Sequence, residues 1–220
     1  VARVTLALDA STYVGTVAVL RDNVLVAEGD ALMRGEQEER LMPCVASVLA
    51  EAGCAVSDVG RVICGGGPGS FTSLRIAGAI AKGIAMGNDV PLYGVSSLAL
   101  IVAAHAPTLA YGRYLALLDA MRDERYAAIY MIANGVVTEV ERIGRVAVAD
   151  LVLLCEHKQA RAIGPREMID AAPHARGVAM LLEQILAVGA VTLDTWEPEY
   201  GRLAEAQVKW EAAHGRALPA

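Results

Sequence analysis

Two stretches of the chain, 110 residues apart, carry the same pattern. Leu115-Ala116-Leu117-Leu118-Asp119-Ala120 echoes Thr5-Leu6-Ala7-Leu8-Asp9-Ala10, and Asn134-Gly135-Val136-Val137 echoes Asn23-Val24-Leu25-Val26. A period this long, occurring only twice, is a domain duplication and not a solenoid. Around the first copy, alternation and turn residues predict strands over residues 3–9, 16–21 and 24–28. A helix over 37–52 follows, kinked or restarted at Pro43. Next come a strand over 61–64, a glycine loop over 65–69 and a long helix over 71–86. A strand over 92–95 and a helix over 97–104 lead into the second half. There the spacing predicts a helix over 149–156, a strand over 161–164 and a helix over 175–188. Each half spells β-β-β-α-β-α, which divides the chain into lobes of residues 1–106 and 107–220, the second with a tail.

Two such lobes in tandem resemble the actin, sugar-kinase and Hsp70 ATPase superfamily, an α/β fold of the ribonuclease H-like type. That superfamily binds nucleotide between its lobes, with an aspartate ending the first strand of each. Asp9 and Asp119 stand in those places. Each could equally cap a turn after its strand, as aspartate readily does. The glycine loop poses a similar choice. Gly67, Gly69 and Ser70, with Ser11, could present backbone N–H groups to an anion at a helix N-terminus. However, no G-K-[ST] follows, and Ser70 takes the third glycine position of G-x-G-x-x-G. A tight turn with Ser70 as N-cap accounts for the same residues.

Composition narrows the function classes. Hydrophobic residues make up 55% and charged residues 20%, with mean hydropathy +0.42, which excludes disorder. Net charge is −6, with 19 basic residues dispersed along the chain. Phosphate neutralisation needs a clustered basic surface, so no direct binding of tRNA is expected from the chain alone at physiological salt. Cys44, Cys54, Cys64 and Cys155 have no close spacing and read as reduced, buried thiols. His105, His157, His174 and His214 are scattered, and no metal is assigned. The uncharged stretch from Val90 to Gly112 is broken by Pro91, Ser96, Ser97, His105 and Pro107, so it cannot span a membrane. With Asp9 inside the only N-terminal apolar run, no signal peptide is expected. A cytoplasmic location is expected.

The helices say more about partners. From Phe71 to Met86 the only charges are Arg75 and Lys82, and Ala77, Ala81 and Ala85 make a row of small residues. The preceding helix is also apolar all round in its C-terminal half. A helix of this kind must be covered on more than one side. The two helices either cover each other fully or leave a surface patch for a partner, and the second reading is favoured. The expected partner surface comprises Leu41, Val45, Val48 and Leu49 with Phe71, Leu74, Arg75, Gly78, Ala81, Lys82 and Ala85.

Residues 67–76, GPGSFTSLRI, resemble the G-P-G-S-F-T-G-[LV]-R-I-G signature of the TsaB family of bacterial tRNA threonylcarbamoyladenosine synthesis. Weaker likenesses run along the chain: Leu6-Ala7-Leu8-Asp9-Ala10-Ser11-Thr12, Ala81-Lys82-Gly83-Ile84-Ala85, Gly94-Val95-Ser96-Ser97-Leu98, Asp119-Ala120 with Glu124 and Tyr126, and Glu197-Pro198-Glu199-Tyr200-Gly201-Arg202. The resemblance implies a non-catalytic partner of the transferase TsaD, joined through the two N-terminal-lobe helices. It also implies TsaE in the larger complex, a homodimer when alone, and no cofactor of its own beyond ATP or ADP at the joint interface. Ser73 and Ala77 replace glycines of the pattern, Asp123 another glycine, and Met121 an arginine. The rival reading, an ATP-dependent small-molecule kinase or ATPase, lacks glycines beside Asp9 and Asp119. A protease reading finds neither H-E-x-x-H nor G-x-S-x-G. The paired-histidine motif of TsaD-like chains is missing from residues 36–41.

Overall fold

The computed structural model describes residues 4–33 and 39–200. Strand β1 (Val4–Asp9) is buried along its whole length and lies at the centre of a five-stranded sheet. It pairs antiparallel with β2 (Val14–Arg21), which pairs antiparallel with β3 (Val24–Leu32) across a tight turn. Asp22 and Asn23 hold φ of 50° and 70° in that turn, the left-handed pair that matches strand twist in a two-residue hairpin. On its other edge β1 pairs parallel with β4 (Val59–Gly65), and β4 with β5 (Leu92–Val95). The order is β3-β2-β1-β4-β5.

The second sheet repeats it. Strands β6 (Gly112–Asp119), β7 (Glu124–Ala133), β8 (Val136–Ala147), β9 (Ala160–Gly164) and β10 (Ile169–Asp170) lie in the order β8-β7-β6-β9-β10, with the same parallel and antiparallel pairings. Asn134 and Gly135 supply the equivalent hairpin, with φ of 52° and 73°. The duplicated topology is that of the actin-like ATPase fold.

Period-two alternation sends the two faces of each sheet into different cores. Leu6, Leu8, Val17 and Val19 face outward, where α1 (Leu41–Glu51) and α2 (Phe71–Asn88) cover them. Ala7, Ala18 and Leu20 face inward. The inner core is shared with Tyr114, Ala116 and Tyr130 of the second sheet, and two helices fill the space between: α3 (Ser97–His105) and α5 (Val178–Val188). Every residue of α3 from Ser97 to Ala103 is buried, which explains its lack of charge. Helix α4 (Leu151–Lys158) covers the outer face of the second sheet through Leu151.

Three expectations change. The first helix begins at Leu41, so Pro43 sits in its first turn, where the missing N–H would be unpaired anyway, and it causes no kink. Residues 34–38, at the expected helix start, lie outside the described residues. The second half also does not copy β-β-β-α-β-α helix for helix. Strands β9 and β10 are joined through residues 165–168, too short for a helix, so α2 has no counterpart and α5 corresponds instead to α3. Finally, all four cysteines are free, but only Cys64 is fully buried. Burial pushes its thiol well above the usual range. No helix among the described residues is long and apolar enough to cross a membrane.

Candidate functional site

The glycine loop ties three elements together through its own backbone. Gly66 N–H donates to Val95 O at 2.7 Å, Gly67 N–H to Ser97 Oγ at 3.1 Å, and Ser70 N–H to Ser11 O at 2.8 Å. Ser97 N–H returns a bond to Gly67 O at 2.9 Å. The N–H groups that an anion would need at Gly67 and Ser70 are thus already taken. Ser70 does not cap α2 with its side chain either; its hydroxyl meets Ser73 Oγ at 3.1 Å.

Asp9 lies beneath this loop and not in a cleft. It is wholly buried, and its carboxylate accepts from Ser11 N–H at 3.0 Å, Ser11 Oγ at 2.8 Å and Ser97 Oγ at 2.5 Å. Burial raises its pKa above the ordinary value, and the hydrogen bonds from Ser97 and Ser11 oppose the rise. Asp9 and Ser11 therefore form a structural knot at the end of β1, in which the Asp9 carboxylate is engaged by Ser11 and Ser97, while Ser11 also reaches the cleft between the lobes. Asp119, the repeat-related aspartate, is in a different setting. Its side chain is 56% exposed, and Oδ1 accepts from Met121 N–H and Arg125 Nη1, both at 3.1 Å.

A cleft of about 1220 Å³ opens between the lobes beside Asp119. The N-terminal lobe contributes Ser11, Tyr13, Gly69, Ser70 and Phe71; the second lobe contributes Asp119, Arg122, Arg125, Tyr126, Arg145 and Arg166. The four arginines are dispersed over 45 positions of sequence, so no linear charge run announces them. Arg125 is held by Asp119 and Glu167, each at 3.1 Å, and Arg145 by Glu124 at 3.5 Å. Met121, Arg122 and Asp123 have φ of 61°, 52° and 58°. Left-handed backbone at Asp123 is what a glycine there would relieve.

Helices α1 and α2 turn most of the expected partner residues inward. Leu41, Val45, Val48, Leu49, Leu74, Ala81 and Ala85 are core residues of the N-terminal lobe, at most 3% exposed. Apolar character alone did not tell core from surface. The outward positions of α1 are Pro43, Ala46, Ser47, Ala50 and Glu51, and those of α2 are Thr72, Arg75, Ala79, Gly83, Met86 and Gly87. Ile76 and Ile80 are half-buried beside them. Arg75 lies over the Phe71 ring, 5.3 Å from its centroid.

Gly78 and Lys82 are covered from within the chain. After α5 the backbone crosses back to the first lobe, with Val191 N–H on Leu92 O at 2.8 Å and Glu199 N–H on Gly66 O at 2.6 Å. Trp196 lies against Gly66, Gly78 and Gly94, where a Cβ would approach its ring atoms to between 3.1 and 3.7 Å. Lys82 Nζ sits 5.9 Å from the Trp196 ring centroid. Tyr200 packs on Phe71 with ring centroids 4.5 Å apart, and its carbonyl accepts from Tyr126 OH at 3.4 Å. This strap, residues 190–200, fastens both lobes, a role that composition did not reveal. Trp196→Ala is expected to lower stability by about 2 kcal/mol, below the loss for a fully enclosed aromatic, and urea unfolding measures it. Arg202 of the tail motif lies outside the described residues.

The comparisons fit this architecture. Residues 34–168 match the family model of TsaD, tRNA N6-adenosine threonylcarbamoyltransferase. The tRNA threonylcarbamoyladenosine biosynthesis protein TsaB of Bacillus subtilis is 31% identical over 93% of this chain and 96% of that protein. The chain belongs to the TsaB family. The TsaB of Escherichia coli is 35% identical, over 57% of this chain and 54% of that protein. YeaZ from Pseudomonas aeruginosa is similar in structure, with a TM-score of 0.74 at 27% identity, covering 90% of this chain and 99% of that one. A second Pseudomonas aeruginosa structure, described as similar to the peptidase YEAZ, has a TM-score of 0.77 and covers 91% and 100%. The family places the chain in tRNA threonylcarbamoyladenosine biosynthesis. Among the described residues, no three His, Cys, Asp or Glu side chains gather where they could hold a metal ion.

Proposed function

We propose that the chain is a non-catalytic scaffold subunit that pairs with TsaD through the outer ridge of α1 and α2. The observation that carries this reading is the composition of that ridge. Ala46, Ala50, Ala79, Gly83, Met86 and Gly87 are outward-facing yet small or apolar, and Met86 is 65% exposed. Small residues let a partner helix approach closely, and an exposed apolar surface of this kind marks a protein contact. A non-catalytic role accords with the burial of Asp9, whose carboxylate is spent on Ser11 and Ser97. The same ridge would serve a homodimer when TsaD is absent, and TsaE would join through TsaD.

The test uses outward positions, since Val45→Glu or Ala81→Arg would place a charge in the lobe's own core. Gly83 has open space around its Cβ direction, and a long side chain there also gains helix propensity. Ala79→Arg combined with Gly83→Arg should abolish co-purification with TsaD while leaving the melting curve intact. A folded double variant that still co-purifies overturns the ridge assignment. The purified chain should also show no ATP hydrolysis or peptide cleavage above background. Turnover that disappears in folded Asp9→Asn would favour an enzyme instead.

A further inference from the structure

We propose that the cleft between the lobes holds a short single-stranded stretch of RNA, with phosphates on the arginine wall and bases on the aromatic wall. The inference rests on the reading that the chain works in a tRNA-modifying complex. Its physical support is separate. In a chain of net charge −6, the residues lining this one cleft include four arginines and a single carboxylate, Asp119. Arg125 and Arg145 are held by carboxylates of their own lobe, but the Arg122 and Arg166 guanidinium groups make no hydrogen bond or ion pair among the described residues.

Both unpaired arginines are displayed from left-handed backbone, with φ of 52° at Arg122 and 64° at Arg166. Arginine adopts this conformation at a cost that glycine would avoid, and such outliers cluster where a ligand is engaged. From the N-terminal lobe and the strap, Tyr13, which is 48% exposed, and the tilted ring pair Phe71 and Tyr200 line the same cleft. Cationic side chains along one wall and aromatic rings along the other are the recognition chemistry of single-stranded nucleic acid. A-form duplex is too wide to bring its stacked bases to such rings. Size also favours a strand over one free nucleotide, since pockets for single small molecules run to about 1,000 Å³ and this cleft reaches about 1220 Å³. The glycine loop spends its N–H groups at Gly66, Gly67 and Ser70 internally, which removes the backbone cradle a polyphosphate would use.

The experiment is a fluorescence-anisotropy titration of the full chain with short labelled oligoadenylate and oligouridylate, from about 50 to about 200 mM salt. The wild-type chain should bind them at the low end and release them at the high end, as expected for a few phosphate contacts. The double variant Arg122→Gly with Arg166→Gly removes two contacts, and glycine suits both φ values, so the fold is kept. It should bind about tenfold more weakly and flatten the log K against log salt slope by about 1.4. No binding by the wild-type chain at low salt, or an unchanged variant, overturns the proposal. Equal affinity for an RNA duplex overturns it in favour of a surface contact. Complete displacement by AMP or ATP overturns it in favour of a free nucleotide. The same variant should still co-purify with TsaD, so loss of RNA and loss of the scaffold role are separately visible.

Discussion

Gly65→Ala is expected to be among the most damaging single-methyl additions in the chain. A Cβ built on Gly65 would fall inside the van der Waals radius of Asp9 Oδ2 and lie 2.8 Å from its carboxyl carbon. The carboxylate cannot swing aside, because Ser11 N–H, Ser11 Oγ and Ser97 Oγ hold it from two directions. Gly69→Ala meets the same obstacle in backbone form, since its Cβ would overlap Ser11 O, the acceptor of Ser70 N–H. Overpacking ordinarily costs about 1–3 kcal/mol, and rigid hydrogen-bonded neighbours put these sites at or above the upper end. Against a total stability of about 5–15 kcal/mol, each variant should show a much lower urea midpoint by far-UV circular dichroism. Gly83→Ala is the control: the position is exposed, nothing lies near its Cβ, and a gain of about 1 kcal/mol is expected. A Gly65→Ala chain as stable as the wild type would show that the loop and β1 are not locked as described.

The duplication was legible because strand pairing and hairpin chemistry are local. The LALD and LALLD runs, followed by Asp-Asn and Asn-Gly turns, specify β1-β2-β3 and β6-β7-β8 without reference to the rest of the chain. The missing counterpart of α2 was not legible by the same logic. A helix over 175–188 satisfies the helical period whether it follows a fourth or a fifth strand, and β10 has only Ile169 and Asp170 to announce itself. Burial sense within α1 and α2 was lost for a related reason. Where both faces are apolar, periodicity no longer separates Ala81, which is wholly buried, from Ala79, which is exposed.

At the site, sequence pattern found the glycine loop and the paired aspartates but not their different fates. Asp9 and Asp119 end equivalent strands, yet only Asp9 has Ser97, at the start of α3, folded over it. The strap was hidden because its contacts are long-range: Trp196 finds Gly66, Gly78 and Gly94, each lacking the side chain that would fill the same space. The arginine wall was hidden because its members sit on separate turns and strands. A dispersed basic count describes sequence distance, and the fold of the second lobe converts it into a cluster.

Asp9→Asn is expected to separate the structural role of this aspartate from a chemical one. Burial raises the Asp9 pKa above 3.8, so the folded chain holds this proton to higher pH than the unfolded chain does. Stability from this group is therefore full below pH 3.8 and is lost as pH rises through the raised folded value. Asparagine keeps the shape and removes the titration. Its Oδ1 can accept from Ser11 N–H and Oγ, and its Nδ2 can donate to Ser97 Oγ, reversing that bond. Urea midpoints measured from about pH 3 to about pH 8 should show the asparagine variant gaining on the wild type as pH rises. Asp9→Ala, by contrast, strands one buried N–H and two hydroxyls, each unsatisfied group costing about 1–3 kcal/mol. That variant should be the least stable of the three at every pH. Parallel curves for wild type and Asp9→Asn would mean that burial does not raise this carboxyl. Retention of TsaD binding by folded Asp9→Asn is the matching expectation for function, because the scaffold reading gives this carboxylate no metal or phosphate to hold.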